Sequence, residues 1–173
     1  MPDKKDFMRI ALAKEKIFCS TPAPMVPFAD WDYYYTNGVI DWEPTDNDIE
    51  TISVKIPVGF VTDLASIPRV FWSILSPQAR YTYPAIVHDY LYWQQPCDRK
   101  TADHVLRLAM QDVNVGQATI LTIYEAVRVA GESAWQSNSR AKINGESRIL
   151  KRFPTSIGVT WKQWKLDINN FIL

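Results

Sequence analysis

The spacing of the apolar residues changes period once along this chain, and that change decides the fold class. Before residue 58 the period is two: Ile52, Val54 and Ile56 alternate with Ser53 and Lys55, as in a half-buried strand. After residue 80 it becomes helical: Ala102, Val105, Leu106, Ala109, Met110 and Val113 recur three and four apart, the stripe of a helix packed on one side. Strands followed by helices predict an α+β fold. The expected form is an N-terminal antiparallel sheet of about four strands, one face covered by about three helices, with an irregular C-terminal tail.

At 173 residues the chain fits one domain with a core of its own. Residues 1–58 read mainly as strands, 59–76 as a shaped loop and short helix, 77–131 as helical and 132–173 as a tail. Arg9 to Cys19 alternates well enough for a first strand, and Thr21-Pro22-Ala23-Pro24 with Pro27 forces an extended crossing. Trp31 to Tyr35 and Val39 to Trp42 flank Asn37-Gly38. That dipeptide accepts the two positive φ angles of a type I′ turn, so a hairpin is expected there. Pro44 to Asp48 is then a polar loop.

The run Pro57 to Pro68 breaks the strand alternation and reads as a shaped loop. Gly59 permits an unusual backbone angle or a close approach, while Thr62, Asp63 and Ser66 can bond the local backbone or face a ligand. Two roles stay open for Asp63 and Ser66: capping a short helix over Arg69 to Leu75, or lining a site. A helix from Arg80 to about Gln95 follows, with Pro84 in its first turn, where a missing N–H costs little. Thr101 to Val113 and Ala118 to Ala130 are the next two, the last closed by Gly131. Gln136 to Ser147 is polar and turn-rich, which predicts a loop. Trp161, Trp164, Ile168 and Phe171 make the tail apolar enough to dock.

The chemistry concentrates at Val87-His88-Asp89-Tyr90-Leu91-Tyr92. On a helix His88 and Tyr92 share a face, and Asp89 points roughly 100° away. An imidazole in apolar surroundings can take a proton from water, and a carboxylate on another element can fix its tautomer. Asp103 can supply that carboxylate if the two helices pack antiparallel across the Pro96 turn. Asp89 can hold calcium with carbonyl oxygens of the Gly59 loop, since calcium takes several oxygen ligands. The plainer reading of the same residues is a buried polar network joining helices.

Residues 50 to 135 contain Gly59-Phe60-Val61-Thr62-Asp63-Leu64-Ala65-Ser66-Ile67-Pro68, then Trp72, His88-Asp89-Tyr90-Leu91-Tyr92 and Ala102-Asp103. In these the chain resembles a phage and prophage family catalogued as domain of unknown function 1353. The resemblance implies a viral origin and carries no activity. His88-Asp89 with Tyr92 and Ala102-Asp103-His104-Val105-Leu106 also looks like the helix pair of phospholipase A2 enzymes, especially the disulfide-free kind in viral capsids. That similarity implies His88 as general base, Asp89 as calcium ligand and Asp103 as support for the histidine. The glycine-rich calcium loop of those enzymes is represented here only by Val58-Gly59-Phe60.

Lys and Arg number 19, as do Asp and Glu, so no global basic field favours nucleic acid. Cys19 and Cys97 are too few for a disulfide framework, and no segment reaches the apolar length of a transmembrane helix. The expected location is the host cytoplasm or the virion. The leading expectation is a phage-encoded hydrolase of ester or phospholipid bonds, with His88, Asp103 and Tyr92 at the catalytic centre. Asp89 and Gly59 would hold calcium, with Thr62, Asp63 and Ser66 nearby. The alternative is a non-catalytic virion component or inhibitor of a host factor, with Trp31, Trp42 and neighbouring tyrosines as its contact face.

Overall fold

A computed structural model describes residues 17–20, 25–44, 52–64 and 82–172. Ser66, Trp72, the short helix expected over 69–75 and the start of the expected first strand lie outside the described residues. The architecture is α+β. Among the described residues, six short strands, β1 (Ile17–Cys19), β2 (Met25–Pro27), β3 (Tyr34–Thr36), β4 (Ile40–Trp42), β5 (Val54–Ile56) and β6 (Val61–Thr62), precede three long helices. The strands form two three-stranded antiparallel sheets, ordered β1-β4-β5 and β2-β3-β6. In β5 the alternation is clean: Val54 and Ile56 are buried and Lys55 is exposed.

The hairpin expected at Asn37-Gly38 is absent. Neither residue has a positive φ, and the chain runs on from β3 into β4. Ile40 pairs with Ile56 and Trp42 with Val54, while Tyr34 pairs with Thr62 and Tyr35 with Val61. These pairs share one register, so 34–42 lies antiparallel to 54–62 along its whole length. The chain reverses earlier, where Phe28 N–H donates to the Tyr33 carbonyl at 2.9 Å and Trp31 takes φ 56°. Aromatic and β-branched residues on both sides of Asn37-Gly38 serve one continued strand as well as a hairpin. Long-range pairing outweighed the local turn preference.

The helices are α1 (Thr82–Gln94), α2 (Arg99–Asp112) and α3 (Gln117–Ile143). α1 buries residues all round, from Pro84 and Ala85 through Ile86, Val87, Leu91 and Trp93, as a central helix must. It lies against β5 and β6, and α2 and α3 pack on it and on each other. Gln95 at φ 54° ends it, its N–H donating to the Leu91 carbonyl at 2.8 Å. Asp98 then caps α2, accepting the Thr101 N–H at 2.7 Å.

α3 runs 27 residues, through Gly131 and most of the expected loop at 136–147. The closing glycine is Gly145, with φ +83°. Gly131 is small for another reason: a Cβ there would run into the Tyr92 hydroxyl. A glycine inside a helix and one at its end look alike in sequence, because only the packing partner tells them apart.

The C-terminal stretch docks on the sheets. Phe60 bridges to Ile149 and Leu150 to Phe171. Gly59, at φ +86°, lets Leu150 approach so closely that a Cβ would stand 2.9 Å from its carbonyl oxygen. Trp161, in the one-turn helix α4 (Trp161–Trp164), joins Phe28, Tyr35, Val61, Leu150 and Phe171 in a second apolar cluster. Ile168 remains largely exposed. Among the described residues no helix is long and apolar enough to cross a membrane.

Candidate functional site

The sharp turn between α1 and α2 places the two helices side by side, and Asp103 of α2 becomes the hub of the contact. His88 Nε2 lies 2.9 Å from Asp103 Oδ1. One turn along α1, the Tyr92 hydroxyl donates to the same oxygen at 2.6 Å, and the two rings meet at a tilt of 44° with centroids 4.1 Å apart. The other oxygen, Oδ2, accepts from Arg99 Nη1 at 3.1 Å and from Arg128 Nη1 of α3 at 2.6 Å. Arg99 also reaches Glu132 through Nε at 3.0 Å. Asp103 is fully buried, so four donors from three helices replace the water it gave up.

Burial by itself would raise the Asp103 carboxyl. The hydrogen bonds from His88, Tyr92 and Arg128 outweigh that and hold it below the ordinary carboxylate range. Tyr92 moves the other way, its phenol pushed up by burial and then by its bond to Asp103. The network therefore holds an anionic carboxylate against a protonated phenol. In the neutral ring, Nε2 is the nitrogen placed to donate to the Asp103 anion.

Beside the network lies a cavity of about 320 Å³. Asp63, His88, Asp89 and Tyr92 form part of its wall, with Arg148 from the C-terminal stretch. Ala126, Ala130 and Ala134 of α3 form an apolar side, and Ser137 and Asn138 a polar margin. Asp89 also receives the Thr62 hydroxyl at Oδ2. Thr62 Oγ1 in turn accepts the Leu64 N–H at 3.0 Å, which sets the bend that carries Asp63 to the cavity. Arg148 stacks over the Trp93 ring at 4.7 Å and meets Glu146 at 3.5 Å.

Gly59 does not stand with these residues on the cavity wall. Its carbonyl accepts the Leu150 N–H at 2.9 Å, so this backbone oxygen serves strand-like pairing. Among the described residues no group of three or more His, Cys, Asp or Glu gathers as a metal site. Calcium takes several convergent oxygens, and of the two expected ligands Asp89 stands on the cavity wall while Gly59 does not. His104, the other histidine, is half-buried on α2. Trp42 is buried, its indole N–H donating to Asp112 at 2.9 Å, so it belongs to the core and not to a contact face.

Arg99, Arg128 and Arg148 were not singled out from sequence. Arg99 stands four residues before Asp103 on one helix, the spacing of an ion pair, and was legible in principle. Arg128 and Arg148 come from elements whose placement no local pattern encodes. Residues 43–127 match the model of a family described as "Protein of unknown function (DUF1353)". That stretch holds His88, Asp89, Tyr92 and Asp103 and stops one residue short of Arg128. No curated protein and no solved structure was found to match the chain.

Proposed function

We propose that this chain is a hydrolase of ester bonds, phospholipid esters included, of phage or prophage origin, with His88 as general base. The observation that carries the reading is one imidazole in two settings: bonded to buried Asp103 through Nε2, and part of the wall of a cavity shared with Asp63 and Asp89. His88 takes a proton from water, and the hydroxide formed attacks the ester carbonyl. Asp103 holds the ring's tautomer and stabilises the imidazolium. Tyr92 fixes Asp103, and Arg148 on the cavity wall offsets charge on the developing oxyanion. The imidazolium then returns its proton to the departing alkoxide. No step uses a metal.

His88→Gln tests this. Gln retains a donor for Asp103 but is no useful base, so ester hydrolysis should fall about 10²-fold or more while stability moves by no more than about 1 kcal/mol. A larger stability loss with unchanged hydrolysis would overturn the catalytic role.

A second reading, a non-catalytic binding protein, draws on Arg99 and Arg128. Two guanidiniums already face one Asp103 carboxylate, which lessens what that carboxylate can lend an imidazolium and suits a network that joins helices. A folded wild type that hydrolyses nothing in a broad ester and phospholipid panel, with added calcium or with chelator, would leave this reading standing.

A further inference from the structure

Charge is unevenly divided along this neutral chain. Residues 140–173 hold seven Lys and Arg against two Asp and Glu, whereas the 139 residues before them hold twelve against seventeen. Exposed apolar side chains gather in the same place. Of the ten large hydrophobic residues exposed among the described residues, six lie between Ile143 and Ile172, although most of the described residues precede Ile143. Single apolar residues are ordinary on a surface, but a concentration of them marks a binding face. We propose that the end of α3 and the C-terminal stretch form a docking face for an anionic lipid surface, which Arg140 and Lys165 attract and which Leu166 and Ile168 enter. This goes beyond hydrolysis and does not depend on it.

The fold builds that face. Trp161 and Phe171 are buried in the apolar cluster beneath the stretch, while Lys165, Leu166 and Ile168 between them stay exposed. Hydrogen bonds fix the turn that carries these three. Asp167 Oδ1 accepts the Asn169 N–H at 3.0 Å, and Asn170 Nδ2 donates to the Trp164 carbonyl at 3.0 Å. Leu166, 82% exposed, and Ile168, 56% exposed, flank Asp167 in that turn. Lys165, Leu166 and Ile168 line one groove together with Arg140 of α3. Ile143, 84% exposed, follows Arg140 by three residues on the helix, the spacing of neighbours on one side. Basic and apolar groups from two segments therefore share a face.

Their chemistry chooses the occupant. Lys151 and Lys162 are exposed on the same stretch as Lys165, and lysine is depleted at protein interfaces. At an anionic bilayer each Lys or Arg near the surface adds about fivefold to binding. The apolar residues in the groove are aliphatic. Single-stranded nucleic acid favours aromatic rings that stack on bases, whereas a bilayer takes Leu and Ile side chains in among its acyl chains.

The test is flotation of the full-length protein with vesicles of phosphatidylcholine alone or of phosphatidylcholine mixed with phosphatidylserine. The protein should float with the mixed vesicles, bind those without phosphatidylserine at least about tenfold more weakly, and be released by salt. Arg140→Gln with Lys165→Gln should lower affinity for the mixed vesicles about 25-fold, at about fivefold for each charge. Leu166→Ser with Ile168→Ser leaves the charge alone and should lower it at least about tenfold. All four positions are exposed, so thermal melts of both variants should match wild type. No flotation with the mixed vesicles overturns the inference, as does flotation that either folded double variant retains in full. Binding to polyglutamate beads in the absence of flotation overturns it in favour of an acidic protein partner. Flotation needs no turnover, so the presence or loss of ester hydrolysis leaves this result where it stands.

Discussion

Asp103 draws α1, α2 and α3 together through four polar donors, whereas Trp161 draws the C-terminal stretch onto the strands through the rings of Phe28, Tyr33 and Phe171. Both fasten segments far apart in the chain, with opposite physics. The apolar cluster is non-directional and carries no charge, so its strength follows the area removed from water. The Asp103 network is directional and charged, and each donor is costly to remove because the others were placed for an anion. The charged fastening lies beside the cavity, which His88 and Tyr92 help to line. The apolar one holds in place the stretch that brings Arg148 to that cavity.

The hardest blow to this contrast comes from the apolar side. Trp161→Ala should cost about 3–5 kcal/mol of stability in denaturant unfolding, with the pH dependence of stability unchanged. A change in that pH dependence would show that the two fastenings are coupled. Asp103→Asn should cost somewhat less, about 2–4 kcal/mol, since it sets an uncharged amide before two partly exposed guanidiniums. It should also lower any ester hydrolysis, which Trp161→Ala should reduce only in proportion to unfolded protein.

Acid sharpens the same contrast. Because the folded Asp103 carboxyl titrates below its ordinary value, the stability it contributes is full above the unfolded value near 3.9 and is lost as pH falls through its lower folded value. Below about pH 4, wild type and Trp161→Ala should lose stability along parallel slopes in thermal melts, and Asp103→Asn along a shallower one. Asp98 and Asp167 are lowered too, chiefly by backbone N–H bonds from Thr101 and Asn169, so some acid slope should remain in every variant.

The smallest effect is expected at Gly131. Gly131→Ala gains helix propensity of roughly 1 kcal/mol but must push the Tyr92 hydroxyl away from Asp103, leaving a net loss of about 1 kcal/mol. A net gain would mean that Tyr92 is not needed to hold the network.

Much of this was open to reading along the chain. Pro84 and the apolar Ala85-Ile86-Val87 marked a helix around His88, and the four-residue step from His88 to Tyr92 put both on one side of it. The reversal at Pro96-Cys97-Asp98 made Asp103 a partner for His88. Each rests on local periodicity, and local periodicity reports which face a residue occupies. It is silent on what that face will meet.

Tertiary structure decided the rest. It carried 34–42 straight past Asn37-Gly38, because twenty-odd residues away 54–62 offered a strand in register. It carried α3 through Gly131 and set the Tyr92 hydroxyl against that glycine. It brought Arg128 to Asp103 and Arg148 to the cavity, turning a two-residue pair into a neutralised hub and a polar helix into a walled site. A buried charge has to find its partners wherever the fold can deliver them, and that requirement is met in space, between residues whose separation in sequence carries no signal of it.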